Sequence, residues 1–463
     1  MCGIAGYVGS EQATQVLLDA LHILEYRGYD SAGIAVNCGG EIVVSKSVGP
    51  VQSLDDAMTP RPAANAGISH TRWATHGPPN HANAHPHVSE SGTVAIVHNG
   101  VIGNAAALRT HLRDEGITLT SDTDSEVIAH LVQRHLDEHQ SSITAALDAT
   151  TALIHGNYAV LAMSRDEPNS LAATAHGSPL LVGTYKDGSA RVASDLAALS
   201  DDCVMYRPLR NGEVIDLNHL TDSTPDPHGS WTLYEQSAGN SRRDGYPDYM
   251  LKEIHDQVGA ADQLITGLYS DTVEARSWQA FIARHAPNRV KFLGCGSALH
   301  AGELAAHFVE RLARTPASAE SATNFLDRDA VIESDCLYVV LSQSGETIDT
   351  LLAARKLHEL RVPVLSVVNV RGSTLDRESP AVLHLEAGRE VSVASTKVVT
   401  NMQIAGIAIA AAVRDSHQHS HRDVDQHTTL AELRPHLDRL PHEIAATLAA
   451  SAPIREALRA RVR

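Results

Sequence analysis

The sequence predicts a two-domain protein in which a mixed α+β domain precedes an α/β domain with a parallel sheet. Three observations lead to this prediction. Short apolar strand-like segments, separated by turn signals and helical segments, occupy the first half of the chain. A polar stretch rich in proline and glycine, 221–248, then interrupts the pattern. Beyond it, apolar strands alternate with helices, as in a parallel sheet covered on both faces.

The composition argues against several classes of binding partner and cellular location. The 463 residues include 37 Lys and Arg against 55 Asp and Glu, a formal net charge of −18. An acidic chain without a basic tract is a poor partner for nucleic acids or anionic membranes. The longest apolar run, 404–413, is shorter than the roughly 20 residues of a membrane span. Five cysteines without a CxxC pair, and an N-terminus unlike a signal peptide, predict a cytoplasmic protein.

The periodicity of apolar residues places the individual elements. In the first half, the predicted strands are 33–37, 41–46, 67–74, 93–97 and 158–164, and the predicted helices are 104–115, 123–139 and 142–153. In the second half, the predicted strands are 290–293, 336–341, 363–369 and 381–386, and the predicted helices are 251–267, 273–285, 299–314, 346–360 and 396–413, with further helical segments up to residue 463. The motif Asn37-Cys38-Gly39-Gly40 predicts a hairpin between the first two strands.

Cys2 is the first candidate for a chemical role. If Met1 is removed, Cys2 carries its own base, because its α-amine, with a pKa of about 8, lies beside its thiol. Such a residue is a compact nucleophile for an amide carbonyl. The alternative is an ordinary small buried cysteine.

Further motifs strengthen the catalytic interpretation of Cys2. Charge and glycine surround predicted strand ends at 27–33 and 71–77. The segment 98–100, His-Asn-Gly, is predicted to end a strand, where a side-chain amide and a backbone N–H could face one oxyanion. The alternative there is a plain type I′ turn. The acidic run 122–126 opens a predicted helix, which Asp122 or Thr123 could simply cap.

Together, the motifs CGIxGY, RGYDSAG, HTRWATHG, HNG and SDTDSE resemble those of class II glutamine amidotransferase domains. The resemblance covers residues 2–218 and implies an N-terminal-nucleophile fold with four αββα layers. It also implies that Cys2 attacks the side-chain carbonyl of glutamine. Asn99 and the backbone N–H of Gly100 would then form the oxyanion hole.

The same resemblance implies a glutamine-binding site. Arg72 would pair with the α-carboxylate of glutamine, and Asp124 would hold its α-ammonium. The other residues implied for this site are Trp73, Thr75, His76 and Gly77. The resemblance also accounts for the four histidines of this loop (His76, His81, His85 and His87), which lack the helical i, i+4 spacing of common zinc sites. We therefore expect neither a metal nor a cofactor.

The second half carries three motifs that each lie between a predicted strand and a predicted helix. In SQSGET, 342–347, hydroxyls and helix N-terminal N–H groups suit a phosphate. The alternative is that Ser344 only caps the helix. The motif GCGS, 294–297, does not match the dinucleotide fingerprint, since residue 299 is leucine. The motif VASTK, 393–397, could be a capped loop with a surface lysine.

These three motifs resemble those of a sugar-isomerase (SIS) domain, predicted over 251–463 behind a linker at 219–250. With the first half, they resemble the glutamine–fructose-6-phosphate aminotransferase (isomerizing) family. The resemblance implies that glutamine and fructose 6-phosphate give glutamate and glucosamine 6-phosphate. Because a SIS domain normally packs against a twin, we expect an exposed apolar face and a homodimer. The residues implied to bind the sugar phosphate are Ser297, Ser342, Gln343, Ser344, Thr347, Val393 and Ser395.

The sequence departs from the family pattern in two ways. The usual Gly-Thr-Ser is here Gly296-Ser297-Ala298, which removes one hydroxyl near the phosphate. The chain also stops at Arg463, whereas family members continue into a second SIS domain that supplies a catalytic glutamate, a histidine and a Schiff-base lysine, a role we do not expect of Lys397. We therefore expect that domain to be missing. Two alternatives stay open: a glutamine amidohydrolase without transfer activity, and a non-catalytic sugar-phosphate-binding module.

Overall fold

The computed structural model describes residues 2–74, 77–199, 202–220, 231–233, 244–392, 394–418 and 429–462, and every element below belongs to these ranges. The chain divides into two compact units, Met1–Gln236 and Ser237–Arg463. Within the described ranges, none of the helices has the length and apolar character needed to cross a membrane.

The first unit contains two antiparallel sheets and five helices among its described residues. Its strands are β1 (Gly3–Val8), β2 (Ser31–Asn37), β3 (Ile42–Val48), β4 (Ala66–Arg72), β5 (His87–Val88), β6 (Val94–Ile102), β7 (Gly156–Ser164), β8 (Leu171–His176), β9 (Leu181–Tyr185), β10 (Ala190–Ala193), β11 (Cys203–Pro208), β12 (Val214–Asp216) and β13 (Thr232–Leu233). Its helices are α1 (Ala13–Leu24), α2 (Val51–Ala57), α3 (Ala105–Asp114), α4 (Glu126–His139) and α5 (Ile143–Thr151).

The two sheets pack face to face between helices. One sheet has the order β13-β11-β9-β10-β1-β4-β2-β3, and the other has the order β12-β8-β7-β6-β5. In β1, Ile4 faces the core between the sheets while Tyr7 faces the core under α1, so both faces of this strand are buried. A third core joins the second sheet to α4 and α5. The predicted four αββα layers are confirmed.

The element predictions for the first half were right in type and incomplete in extent. The predicted hairpin is confirmed, because Asn37 pairs with Ile42 across a turn whose two glycines have positive φ. The prediction that 98–100 ends a strand is wrong, and so is the alternative of a type I′ turn. Strand β6 continues through this motif, and Asn99 and Gly100 pair with Ala159 and Tyr158 of β7.

The second unit alternates strands and helices. Its strands are β14 (Arg289–Gly294), β15 (Ala317–Ser321), β16 (Cys336–Ser342), β17 (Val364–Val368) and β18 (Val382–His384). Its helices are α6 (Tyr249–Leu268), α7 (Val273–His285), α8 (Ser297–Phe308), α9 (Ala322–Asp327), α10 (Ile348–Glu359), α11 (Thr374–Glu378), α12 (Lys397–Gln418), α13 (Thr429–Leu437) and α14 (Leu440–Val462).

The five strands form one sheet with the order β15-β14-β16-β17-β18, and every neighbouring pair is parallel. Each face of this sheet is covered by its own apolar core. The predicted parallel sheet is therefore confirmed. Sequence reasoning missed β15 because its sequence, ASAES, is small and polar and lies at a partly exposed edge.

Gly33 in β2 lies directly against the backbone of His85. A Cβ at this position would lie 2.0 Å from the backbone oxygen of His85, which cannot yield without moving the chain. We expect Gly33→Ala to lower the free energy of unfolding by about 1–3 kcal/mol, the usual cost of overpacking. Urea unfolding measures this change.

The matched control is Gly103→Ala in the same unit. Its Cβ would lie 3.6 Å from the nearest atom, an ordinary contact distance. We expect a change within about 0.5 kcal/mol. Equal unfolding midpoints for the two variants would contradict the proposed crowding at Gly33.

Candidate functional site

Cys2 lies immediately before β1, a strand with paired neighbours on both sides. The register that pairs Gly3 with Thr71 brings the end of β4 beside the cysteine. The backbone N–H of Trp73 donates to Cys2 Sγ at 3.3 Å, and the sulfur lies 3.6 Å from the Trp73 carbonyl oxygen. The thiol is thus held by the chain that leaves β4.

The surroundings of Cys2 favour the neutral thiol. Burial raises the pKa of the Cys2 thiol, and the N–H of Trp73 with the charges of Arg72 and Arg27 opposes this rise only in part. A neutral thiol is a weak nucleophile, so attack on a carbonyl requires a base. Once Met1 is removed, the α-amine of Cys2 is a base of suitable pKa within the same residue.

The three predicted catalytic residues come together in the structure. Asn99 Nδ2 donates to the carbonyl oxygen of Cys2 at 3.0 Å, which leaves its second N–H for another acceptor. Next to it, Gly100 has φ of 127°. A Cβ on Gly100 would lie 2.0 Å from the Asn157 oxygen, so this position requires glycine.

Arg72 ends β4 with a buried guanidinium group. Its Nη1 and Nη2 donate to the carbonyl oxygens of Pro78 and Gly77, each at 3.3 Å. Burial lowers the pKa of Arg72, and the negative charges of Asp30 and Asp124 oppose this shift. A buried cation with carboxylates nearby suits a zwitterionic ligand such as an amino acid.

Asp124 is attached to the strand that carries Asn99. Its Oδ2 accepts the backbone N–H of Ile102 at 2.8 Å, and its Oδ1 accepts the hydroxyl of Ser125 at 3.3 Å. The Ser125 hydroxyl also lies 2.8 Å from Nδ1 of His98. These bonds fix the carboxylate of Asp124 relative to β6.

Trp73, a member of the predicted glutamine site, is 40% exposed. Its indole packs edge-to-face on the ring of Tyr29, with centroids 5.4 Å apart. Two other predicted members, Thr75 and His76, lie outside the described residues. Gly77 has φ of 71°, and a Cβ there would lie 2.5 Å from Nδ2 of Asn83.

The acidic run does not act as a helix cap. Helix α4 begins only at Glu126, and its N-cap position is Ser125, so the alternative that Asp122 or Thr123 caps the helix is wrong. The backbone N–H of Asp122 instead donates to Oδ1 of Asn83 at 2.8 Å. This bond ties the loop after Arg72 to the acidic run.

Sequence reasoning missed the role of Glu126. Its carboxylate accepts the backbone N–H groups of Thr120 and Ser121, at 2.7 and 3.0 Å, as well as their hydroxyls. Burial alone would raise the pKa of Glu126, but His130 and these donors hold it well below its usual range. A short acidic run before a helix predicts only a helix cap, so the sequence did not indicate that Glu126 would bind the backbone of residues 120 and 121.

The loop histidines pack as neutral rings. His70 stacks on His85 with centroids 4.1 Å apart, and His85 meets His87 at 4.4 Å. Burial lowers the pKa of His70 to about 3 and the pKa values of His85 and His87 well below 6.5. Within the described part of the chain, no cluster of three or more His, Cys, Asp or Glu side chains could hold a metal ion.

In the second unit, the SQSGET motif joins the carboxyl end of β16 to α10. Ser342 Oγ accepts the N–H of Gly345 at 2.9 Å, and Ser344 Oγ accepts the N–H of Glu346 at 3.1 Å. The N-cap position of α10 is Thr347, so the alternative that Ser344 caps this helix is wrong. Both serine side chains are buried inside a tight loop.

Ser373, which follows β17, closes the other side of this loop. A Cβ on Gly345 would lie 2.0 Å from Ser373 Oγ, so glycine lets the two loops touch. The Ser373 hydroxyl is buried without a hydrogen-bond partner among the described residues. Sequence reasoning missed Ser373, whose hydroxyl is a further possible donor next to the loop 342–347.

The other two predicted phosphate motifs are placed differently. Ser297 begins α8 and is exposed, whereas Ala298 is buried in the apolar core. Ser395 donates its hydroxyl proton to Glu390 at 2.6 Å, and Glu390 also accepts the N–H of Thr396 at 2.8 Å. The remaining predicted member, Val393, lies outside the described residues.

Carboxylates and lysines line the start of α6 and α12, and none of them was predicted as a site residue. Glu253 accepts the backbone N–H groups of Val391 and Ser392. Asp256 pairs with Lys252 at 2.7 Å and with Lys397 at 3.3 Å. Both lysines are buried. The pair of Asp256 with Lys397 ties α6 to the start of α12, whereas the pair with Lys252 lies within α6.

Comparisons with known proteins match one family to each unit of the chain. The family described as "Glutamine amidotransferase domain" matches residues 70–201, and the family described as "SIS domain" matches residues 284–412. The fold and the sites therefore define a glutamine amidotransferase domain joined to a sugar-isomerase domain.

Relatives in two bacteria specify the family. The chain is 39% identical to the glutamine–fructose-6-phosphate aminotransferase (isomerizing) of Streptomyces coelicolor over 422 residues, which are 89% of this chain and 68% of the relative. It is 36% identical to the protein of that name from Symbiobacterium thermophilum, over 99% of this chain and 76% of the relative. The C-terminal domain of glucosamine-fructose-6-phosphate aminotransferase from Francisella tularensis aligns at 28% identity and a TM-score of 0.42, over 47% of this chain and 60% of that one. On the two sequence matches, the chain belongs to the glutamine–fructose-6-phosphate aminotransferase (isomerizing) family.

Glu126 predicts how the stability of the first unit depends on pH. Because its pKa is lower in the folded than in the unfolded chain, its contribution is present above about pH 4.3 and is lost as the pH falls further. We expect Glu126→Gln to cost about 1–3 kcal/mol at pH 7 and to flatten the loss of stability below pH 4.3. Unfolding curves at a series of pH values measure both effects.

Glu138→Gln on the exposed face of α4 is the matched control. It removes the same charge from the same helix, and we expect a change within about 0.5 kcal/mol at pH 7. If Glu126→Gln lost stability in acid as the wild type does, the proposed stabilising role of the Glu126 carboxylate would be contradicted.

Proposed function

We propose that this chain releases ammonia from glutamine and transfers it to fructose 6-phosphate, which gives glutamate and glucosamine 6-phosphate. The observation that carries the proposal is the set of contacts around Cys2, in a chain that belongs to this family. Its backbone carbonyl is bound by Asn99, and Gly100 follows in the same strand. A nucleophile at the start of β1 thereby lies beside two oxyanion donors of β6.

The glutaminase half of the reaction uses Cys2 for both nucleophile and base. The sulfur attacks the side-chain carbonyl carbon of glutamine as the thiol proton passes to the α-amine. The second N–H of Asn99 and the N–H of Gly100 stabilise the oxyanion. The C–N bond then breaks, and the α-ammonium returns the proton to the departing ammonia. Water adds to the thioester, the C–S bond breaks, and glutamate leaves.

Glutamine is held at its α-carbon. Arg72 pairs with the α-carboxylate, and Asp124, fixed to β6 by Ile102, accepts from the α-ammonium. The burial of Arg72 supports this role, because a desolvated cation gains more from a bound anion than an exposed one does. The proposal also includes Trp73, Thr75, His76 and Gly77 as glutamine-binding residues, of which Thr75 and His76 lie outside the described residues.

The sugar phosphate binds at the carboxyl end of the parallel sheet. The loop 342–347 offers the Ser342, Gln343, Ser344 and Thr347 side chains together with the first N–H groups of α10. Ser297, Val393 and Ser395 complete the pocket. Ser395 must turn its hydroxyl away from Glu390 before it can donate to a phosphate, since it has only one proton to give.

We also propose the organisation of the chain in solution. The amidotransferase domain spans 2–218, and a linker at 219–250 joins it to the SIS domain at 251–463. Ile454 and Leu458 are exposed on α14, and this apolar surface supports a homodimer. All five cysteines are free, which supports a reducing, cytoplasmic setting. The net charge of −18 supports the absence of nucleic-acid and anionic-membrane partners.

Cys2→Ala tests the proposed nucleophile. With glutamine and fructose 6-phosphate present, we expect it to lower glutamate formation by about 10³-fold or more, because no other group can form the thioester. Glutamate and glucosamine 6-phosphate are assayed separately. Cys38→Ala, which removes a half-buried thiol in the β2–β3 hairpin, should keep wild-type rates. Glutamate formation by Cys2→Ala at the wild-type rate would refute the mechanism.

Ser344→Ala tests the phosphate loop. We expect the KM for fructose 6-phosphate to rise about tenfold, the loss of one hydrogen bond to a charged group. The ratio of glutamate to glucosamine 6-phosphate should rise with it. The exposed Ser334→Ala is the control. Wild-type protein that forms glutamate and no amino sugar would favour the amidohydrolase alternative.

A further inference from the structure

A buried ion pair lies directly behind the carbonyl group of Cys2. Nη1 of Arg27 meets Oδ2 of Asp195 at 3.1 Å, and the two side chains are only 4% and 2% exposed. Nε of the same guanidinium group donates to the carbonyl oxygen of Cys2 at 3.1 Å. One planar group therefore connects Asp195 to the residue proposed as nucleophile.

Asp195 is itself rigidly held. Its Oδ2 accepts the hydroxyl of Tyr26, and its Oδ1 accepts the N–H of Ala197 at 2.9 Å. The preceding residue, Ser194, exchanges two hydrogen bonds with Ile4: its N–H donates to the Ile4 oxygen, and its hydroxyl accepts the Ile4 N–H, each at 3.0 Å. The carboxylate thus belongs to the same strand pair, β1 with β10, that carries Cys2.

We propose that Asp195 is a positioning residue for the N-terminal nucleophile and acts through Arg27, with Tyr26 fixing its carboxylate. This inference rests on the proposed glutaminase function. The guanidinium group of Arg27 is held by the carbonyl oxygen of Cys2, by the carbonyl oxygen of Ser194 at 3.3 Å from Nη1, and by Asp195. Among these contacts the one with Asp195 is charged on both sides and therefore the strongest, and it directs the Nε–H bond toward the Cys2 carbonyl.

The contact with Arg27 matters because it orients the backbone of Cys2. In the processed chain, the thiol and the α-amine are both attached to the Cα of Cys2, so one carbonyl anchor orients nucleophile and base together. Asn99 binds the same oxygen from the second sheet. Two donors from opposite sides define the plane of the Cys2–Gly3 peptide group, and orientation of this kind is a large source of catalytic rate.

The ion pair also sets the electrostatic field at the thiol. The charges acting on Cys2 include those of Arg72 and Arg27, both of which favour the thiolate. Asp195 offsets much of the charge of Arg27, because the two groups are in direct contact. Removing the negative charge of Asp195 would therefore expose Cys2 to the full charge of Arg27. The midpoint of Cys2 alkylation against pH reports this electrostatic effect, whereas kcat reports the positioning role.

The experiment compares wild type, Tyr26→Phe and Asp195→Asn in two assays. The first measures kcat and KM for glutamine hydrolysis. The second measures the rate of alkylation of Cys2 by iodoacetamide against pH, with the modified peptide identified by mass spectrometry. Thermal unfolding reports on stability. Glu213→Gln is the matched control, because it breaks another partly buried ion pair of the first unit, that with Arg207.

We expect both variants to lose kcat with little change in KM. Tyr26→Phe should lower kcat by about threefold to tenfold, the value of one hydrogen bond. Asp195→Asn should lower kcat by about tenfold to a hundredfold, and it should shift the alkylation midpoint downward by roughly half to one pH unit. Glu213→Gln should change only the thermal unfolding.

Unchanged kcat in Tyr26→Phe together with an unchanged alkylation midpoint in Asp195→Asn would overturn the proposal, even if both variants were less stable. Should Asp195→Asn fail to fold, the kcat of Tyr26→Phe decides alone. A wild-type chain that does not hydrolyse glutamine would refute the proposed function instead. The alkylation profile needs no substrate, so it would still judge the role of Asp195.

Discussion

The first unit depends on one constraint: the N-terminal strand is an interior strand of its sheet. Strand β1 is paired with β4 on one side and with β10 on the other, so its end cannot fray as a chain terminus usually does. The two registers decide what surrounds Cys2. Pairing with β4 brings the N–H of Trp73 to the sulfur, and pairing with β10 brings Asp195 behind the carbonyl.

The second unit follows from a different rule, the common direction of parallel strands. Because every strand ends at the same edge, the loops after β14, β16 and β17 gather there whatever their order in the sequence. Gly345 is the point at which two of these loops touch, and its missing side chain leaves room for Ser373. A site of hydroxyls and backbone N–H groups thereby forms without a long insertion.

The sequence predicted the parallel sheet and most helices and strands from local periodicity and short spacings. The four layers of the first unit followed only from the resemblance of its motifs to a known family. Sequence reasoning failed where tertiary contacts decide. The motif at 98–100 has the composition of a turn, yet pairing with β7 keeps Asn99 in a strand. Aspartate at position 122 is a typical helix cap, yet α4 begins only at Glu126, and the backbone N–H of Asp122 donates to Asn83. Asp195 gave no local signal, because Tyr26 and Arg27 lie far from it in the sequence. Glu126 was missed although Thr120 and Ser121 lie only six and five residues before it, because this spacing matches no capping motif.

The net charge of −18 raises the question of how such a chain binds two anionic groups. At physiological ionic strength, charges further apart than about 8 Å are largely screened, so the average charge matters less than the nearest donors. In our proposal the first unit meets this need with a buried cation, Arg72, and the loop 342–347 meets it with neutral hydroxyls and backbone N–H groups. The one carboxylate within this loop, Glu346, accepts the N–H of Thr374 at 2.8 Å. Its negative charge is thereby partly compensated inside the protein, which reduces its repulsion of an approaching phosphate.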